Sequence, residues 1–276
     1  MKRLSLLTLI LAALMLACNI STPVPATQQP PPPTNTPELP ATPTVAETPA
    51  VQPNAVCNEL SFYLDPAVAA DIVCETVPQG NGEDPWDVHP QFTKAAFQGY
   101  ALADKFHNPR ISVYPLPAYI AQVPKVADSA AFLKSLIGGG DPGTGAIPVL
   151  ESSFNAAQEF HAQYQVVRFA NGAGVRFVTQ YAQYFAPINN HDMFFTFQGI
   201  TADDQYWISI ILPITNPVLP ANADNPPGGM SWEEFGNQFD TYIADLANQL
   251  NGQPADSFAP SITLLDSLIQ SISVQP

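Results

Sequence analysis

The chain has 276 residues, with 24 Asp and Glu against 9 Lys and Arg, a net charge of −15, and 30 Pro. So few basic groups exclude a protein that tracks a phosphate backbone, and therefore a nucleic-acid partner. One long apolar run, placed at the start, excludes a polytopic membrane protein, and an apolar content of 46% excludes wholesale disorder.

Met1-Lys2-Arg3 is a short basic start, and residues 4–17 are apolar except for Ser5 and Thr8. Fourteen residues rising about 1.5 Å each cannot cross a hydrocarbon core of about 30 Å. The pattern is that of a secretory signal peptide over residues 1–17. Its end, Met15-Leu16-Ala17-Cys18, resembles the bacterial lipobox, although Met15 and Leu16 stand where Leu and a small residue are usual. That resemblance implies acylation of Cys18 and a membrane partner reached through lipid. Loss of Lys2 and Arg3 with the leader takes the net charge from −15 to −17. An anionic surface would repel such a chain, so anchoring falls to the acyl groups.

Residues 18–53 form the next segment. Ser21 to Pro53 holds 11 Pro and 7 Thr in 33 residues and no aromatic. It cannot bury enough apolar surface to fold, and Pro keeps it extended. It reads as a disordered stalk with a reach of roughly 100 Å at about 3.1 Å per residue.

A globular domain is expected over residues 54–276. Cys57 and Cys74 are its only cysteines. In an exported protein such a pair reads as a disulfide, which would staple residues 60–64 to the turn after residues 67–70. Two Cys without a nearby His do not complete a metal shell, so no metal or other cofactor is expected.

Short β-prone runs follow at 95–102 (AAFQGYAL) and 110–116 (RISVYPL). A helix near 124–137 ends at Gly138-Gly139-Gly140, and a short one is expected near 154–161. QYQVVRFA, Asn171-Gly172 and AGVRFVTQYAQYF then spell a hairpin, since Asn-Gly between two β-prone runs is a strong turn signal. A two-residue turn there would set Val166 opposite Phe177 and Val167 opposite Arg176, with both faces covered. A second hairpin joins MFFTFQGI to QYWISIILPI, in which Tyr206, Ile208, Ile210 and Leu212 alternate with Trp207, Ser209 and Ile211. Ser231 and Glu234 spell a capping box. Behind them Trp232, Phe235, Phe239, Tyr242, Ile243, Leu246 and Leu250 make one apolar stripe. A last helix is expected at about 259–271. This order lacks a βαβ rhythm and gives an α+β class, one antiparallel sheet with helices packed on its faces.

The blocks FNAAQEFHAQ, FANGAGVRFVTQYAQ, INNHDMFFTFQGIT and YWISIILPITNPVLP, with the opening CNELSFYLDP, are similar to a family of uncharacterised bacterial surface lipoproteins, frequent in Chloroflexota and cyanobacteria. That resemblance covers most of residues 55–276 and implies a lipid Cys, a Pro/Thr stalk and no known activity. A looser similarity, in element order alone, is to the PsbP/Mog1-like sandwich, and it implies nothing about function.

No nucleophile elbow, zinc-protease helix, phosphate loop, dinucleotide fingerprint or EF-hand loop is spelled out, and no residue is marked as catalytic. Arg168 and Arg176 flank the Asn-Gly turn and can grip a carboxylate or phosphate, or pair with acidic groups of the chain. Asn189-Asn190-His191-Asp192 is oxygen-rich and reads either as a turn or as the rim of a pocket. His161 lies where a helix should meet a strand. Phe194, Phe195 and Phe197 cannot all face one side of a strand, so the second face is either helix-covered or offers an apolar surface. These features favour a lipid-anchored protein of the extracytoplasmic cell envelope that presents a non-enzymatic binding or accessory domain, with an envelope protein or a glycan as partner. The alternatives are a secreted hydrolase built from distant groups such as His191, Asp192 and another carboxylate, and a purely structural envelope protein.

Overall fold

Two antiparallel meanders join edge to edge to make the main sheet. A computed structural model describes residues 52–83, 87–150 and 156–275. The leader, Cys18 and the Pro-rich stalk up to residue 51 lie outside the described residues. The chain opens with β1 (Ala55–Cys57), β2 (Leu60–Phe62), β3 (Asp71–Val77), β4 (Phe92–Gln98) and β5 (Arg110–Pro115). Helices α1 (Leu116–Gln122) and α2 (Lys125–Ile137) come next, then β6 (Ala157–Gln158), β7 (Ala162–Phe169), β8 (Gly172–Thr179) and β9 (Tyr181–Ala182). β10 (Phe194–Thr201), β11 (Tyr206–Pro213), α3 (Trp232–Asn251), α4 (Ile262–Gln270) and β12 (Ser273–Val274) complete it.

The class is α+β, with a seven-stranded antiparallel sheet ordered β3-β4-β5-β11-β10-β8-β7. The expectation of a single sheet is corrected. β1, β2 and β12 form a second sheet and β6 and β9 a third. Strands of two or three residues carry no legible alternation, and β12 reaches β2 from the far end of the chain.

Alternation then sorts the core. Ile208, Ile210, Leu212, Phe195 and Phe197 face α3, α4 and the β1-β2-β12 sheet. Trp207, Ile200, Val175, Phe177 and Tyr114 face α1 and α2. Every residue of β10 is buried, so the question posed by its three phenylalanines is answered by cover on both faces. In α2 the buried Val126, Ala130, Leu133 and Leu136 recur at helical spacing. The capping box of α3 is present, with Ser231 Oγ accepting from the Glu234 N–H at 3.2 Å and Glu234 Oε2 accepting from the Ser231 N–H at 2.9 Å.

Two expectations fail for tertiary reasons. The helix expected at 154–161 is not formed in its described part, where Ala157–Gln158 pairs with Tyr181–Ala182 as strand β6. In the β7–β8 hairpin the turn residues are Ala170 and Asn171, so Val166 faces Val175 and Val167 faces Gly174. The Ala170 N–H donates to Ile272 O at 3.0 Å, and the Asn171 side chain pairs with the Val274 backbone in both directions. Those contacts fix a turn that an isolated Asn-Gly would not choose. Gly172, Gly174 and Gly199 leave room for rings: a Cβ on Gly172 would lie 2.3 Å from Phe169 Cζ, and one on Gly174 2.6 Å from Phe197 Cε2. Phe169 and Phe197 meet edge to face at 6.0 Å over this platform.

One polar knot sits within the α1/α2 core. Gln198 Oε1 accepts from Trp207 Nε1 at 2.9 Å and from the Leu150 N–H at 3.0 Å. Its Nε2 donates to Thr196 Oγ1 at 2.8 Å and to Ser209 Oγ at 2.9 Å. All four hydrogen-bonding positions of the amide are filled, the condition under which burial of such a group is tolerated.

Cys57 and Cys74 are disulfide-bonded, their Cα atoms 5.2 Å apart. Cys74 lies on the edge strand β3, not in a turn, so the bridge ties the small β1-β2-β12 sheet to the rim of the large one.

Candidate functional site

The residues singled out from the sequence do not converge. Arg176 and Arg168 lie on opposite faces of their hairpin, because their positions on β7 and β8 differ in pleat parity. Arg176 points into the protein and donates to Asp266 Oδ1 at 3.1 Å from Nε, to Gln165 Oε1 at 2.5 Å and to Gln163 O. Its guanidinium clamps the β7 bulge to α4 and offers nothing to a ligand. Arg168 is exposed on the other face, in a shallow groove with Lys134 and Asp204. Those two are already paired at 2.7 Å. His161 is half-buried against Phe177. Burial lowers its pKa, against a hydrogen bond with the Gly143 backbone and the nearby Asp141 carboxylate.

Asn189, Asn190, His191 and Asp192 form a turn built from their own polar groups. Asn189 Oδ1 accepts from the N–H groups of His191 and Asp192 at 2.9 and 3.1 Å, and its Nδ2 donates to Asp192 Oδ2 at 2.8 Å. Asn190 Nδ2 donates to Asn216 O and Leu219 O, and Asn190 Oδ1 accepts from the Asn216 N–H at 2.8 Å. His191 is half exposed, its Nδ1 lying 2.5 Å from Asp192 Oδ1.

Of this set only Asp192 borders the cleft where exposed chemistry collects. A cavity of about 400 Å³ is lined by Phe106 and His107 on one side and by Gln180, Tyr181, Gln183 and Tyr184 on the other. It continues into an open groove bordered by Glu159, Tyr184 and Phe185. Local chain logic builds the second wall. After β8 stops at Thr179, the buried Gln180 side chain accepts from the Asn189 N–H at 3.0 Å and donates to Pro187 O at 3.3 Å. Tyr242 Oη on α3 accepts from the Ile188 N–H at 3.0 Å. The segment between is thus pinned at both ends, leaving Tyr184 and Phe185 beyond the pairing that would have buried them.

Three of the five exposed aromatic side chains among the described residues line this region, Phe106 (67% exposed), Tyr184 (65%) and Phe185 (58%), and a fourth, Trp232 (50%), stands on α3 one helical turn from the Gly236 that Phe185 covers. Three are backed on one side. Phe185 lies 4.9 Å from Phe239 and over Gly236, whose missing Cβ makes the room. Trp232, one helical turn before Gly236, leans on Phe235, and Phe106 meets His107 edge-on at 4.9 Å. Burial, reinforced by Arg110, lowers the His107 pKa to about 4, against the opposing pull of Asp192, so the imidazole is neutral near pH 7. Burial pushes the Tyr181 hydroxyl up to about 12, against a 3.0 Å hydrogen bond from Gln158, and also raises the Glu159 carboxyl.

Sequence reasoning missed Phe106, His107, Tyr184, Phe185 and Trp232. One signal was present: Tyr184-Phe185 precedes Ala186-Pro187, where a strand cannot continue. Trp232 was read only as part of an apolar stripe, yet it sits at the first turn of α3, beyond the covered face. Among the described residues no group of three or more His, Cys, Asp or Glu is placed to hold a metal ion, and no helix is long and apolar enough to cross a membrane. No family model, curated protein or solved structure matches the chain.

Proposed function

We propose that this chain is an exported lipoprotein, anchored through Cys18 and spaced from the membrane by its Pro-rich segment, whose folded domain binds a ligand in the aromatic-rimmed cleft. The leader pattern and the Cys57–Cys74 bridge support the location, since disulfides persist in oxidising compartments. Membership of the uncharacterised surface-lipoprotein family belongs to the same reading, on the sequence blocks given above. The binding role rests on one observation, the gathering of Phe106, Tyr184 and Phe185 about a cleft whose wall is pinned by Gln180 and Tyr242. Exposed aromatic side chains scattered singly need no explanation, whereas a cluster around a preformed concavity marks a contact site.

Hydrogen exchange on the full chain tests this, comparing protein in its own envelope membranes with protein purified in detergent. Slower exchange at residues 180–188 and 105–107 in the membranes is expected. Equal exchange there in the two states contradicts the proposal. The hydrolase alternative draws on the 2.5 Å contact of His191 with Asp192 beside the cleft. It requires turnover of an ester or glycoside that His191→Ala abolishes.

A further inference from the structure

The cleft also constrains the chemistry of what fills it, granted that the cleft is a binding site. Among its described lining residues there is no Lys or Arg, while Asp192 and Glu159 stand on its borders. A chain with a net charge of −15 and such a lining repels polyanions, which sets aside nucleic acid, anionic lipid headgroups and phosphate-rich polymers. A wholly apolar ligand fits no better, because it would strip water from the Glu159 carboxyl without replacing its hydrogen bonds.

Neutral and cationic ligands remain, and the state of the two carboxylates separates them. Asp192 is already engaged on both oxygens, Oδ1 with His191 and Oδ2 with Asn189. Burial raises the pKa of the Glu159 carboxyl. Each carboxylate oxygen keeps a further lone pair, so the site offers hydrogen-bond acceptors whose positions are fixed by their neighbours. Around them stand aromatic plates, three of them backed by other rings, each presenting open surface to solvent. A pyranose ring matches this combination. It carries a face of C–H groups that lies flat on an aromatic plane and a rim of hydroxyls that donate to carboxylates and amides. Phe106 and Tyr184 line the cavity, and Tyr184 and Phe185 line the groove that continues it, so the rings can serve more than one sugar unit.

We propose that the occupant of this cleft is an uncharged oligosaccharide, its rings stacked on Tyr184, Phe185 and Trp232 and its hydroxyls bonded to Gln183, Glu159 and Asp192.

Full-length protein in a sugar-free detergent is titrated with cellohexaose, chitohexaose and, for contrast, hexalysine, followed by ligand-observed NMR. Saturable binding of at least one of the two sugars is expected. Affinity should fall by roughly tenfold or more in Tyr184→Ala and in Trp232→Ala, as for aromatic anchors of a contact site. Phe132→Ala, which removes the exposed aromatic outside this region, should leave it unchanged. Binding that Tyr184→Ala and Trp232→Ala leave intact overturns the proposal. So does hexalysine binding that those two variants abolish while neither sugar binds, although a ligand-binding cleft then still stands. If no probe binds, the oligosaccharide proposal falls, and hydrogen exchange in native membranes decides separately whether the cleft is a site at all.

Discussion

Arg176 on β8 and Asp266 on α4 are joined Nε to Oδ1 at 3.1 Å and Nη2 to Oδ2 at 3.3 Å, with side chains only 7% and 19% exposed. Burial raises the Asp266 pKa and the guanidinium opposes it. Removing one member of a buried pair leaves the other charge stranded, at a cost of about 3–5 kcal/mol. Arg176→Ala should sit at the upper end, because Gln163 O and Gln165 Oε1 lose their donor as well. Arg176→Met combined with Asp266→Leu should cost far less than the sum of Arg176→Met and Asp266→Leu taken singly. Urea unfolding of the four proteins measures this. Additive losses would mean that the two groups do not act together.

Acid should weaken the fold through His107. Its pKa is lowered from 6.5 to about 4 in the folded protein, so the unfolded chain binds more protons between those values. Stability fully present above about pH 6.5 is lost as pH falls toward 4, by up to about 3 kcal/mol. His107→Gln should shrink the stability difference between pH 7.5 and 4.5 by about that amount in chemical denaturation, relative to the parent protein. An unchanged difference would show that His107 is not held neutral.

The disulfide closes a loop with a sequence separation of 17 between β1 and the edge strand β3. In the chain-entropy account such a loop stabilises by about 3 kcal/mol. Cys57→Ser with Cys74→Ser should lower the melting temperature by roughly 6–12 °C for a domain of this size, read by calorimetry. The β10–β11 hairpin should keep its hydrogen-exchange protection, since neither cysteine touches it.

Gly174 has no room for a side chain. A Cβ there would stand 2.3 Å from Gln198 O and 2.5 Å from Gly199 Cα, both backbone atoms. Gly174→Ala should destabilise by about 1–3 kcal/mol or more through overpacking. At Gly145 the nearest atom to such a Cβ is 3.9 Å away, so Gly145→Ala should be close to neutral. Denaturant midpoints of the two variants give the comparison.

How far the sequence could be read depended on where the deciding contacts lie. β5, β10, β11 and α3 follow from local alternation, helical spacing and the Ser231–Glu234 cap, all within reach of one element. α1 was not anticipated, because its seven residues begin directly after a strand with a Pro in the first turn. The 154–161 segment carries helix-like spacing, yet its described part is claimed by Tyr181–Ala182 as a strand partner. The Asn-Gly turn moved because Asn171 is used as a surrogate strand residue for Val274, 103 positions away. The candidate site was least legible of all. Its aromatic lining comes from the loop at Phe106 and the segment at Tyr184, and only the fold brings them together. Whether Arg176 grips a ligand or an acid of the chain was not legible in the sequence, because its partner Asp266 lies on an element 90 residues later.

Export with lipid attachment underlies the whole functional reading, and mass spectrometry of the protein's N-terminal peptide from isolated membranes tests it most directly. The account predicts a chain that begins at Cys18 with diacylglyceryl on its sulfur, and Cys57 and Cys74 joined. A chain that retains Met1, carries no acyl group and is recovered from the cytosol with both thiols free would contradict it.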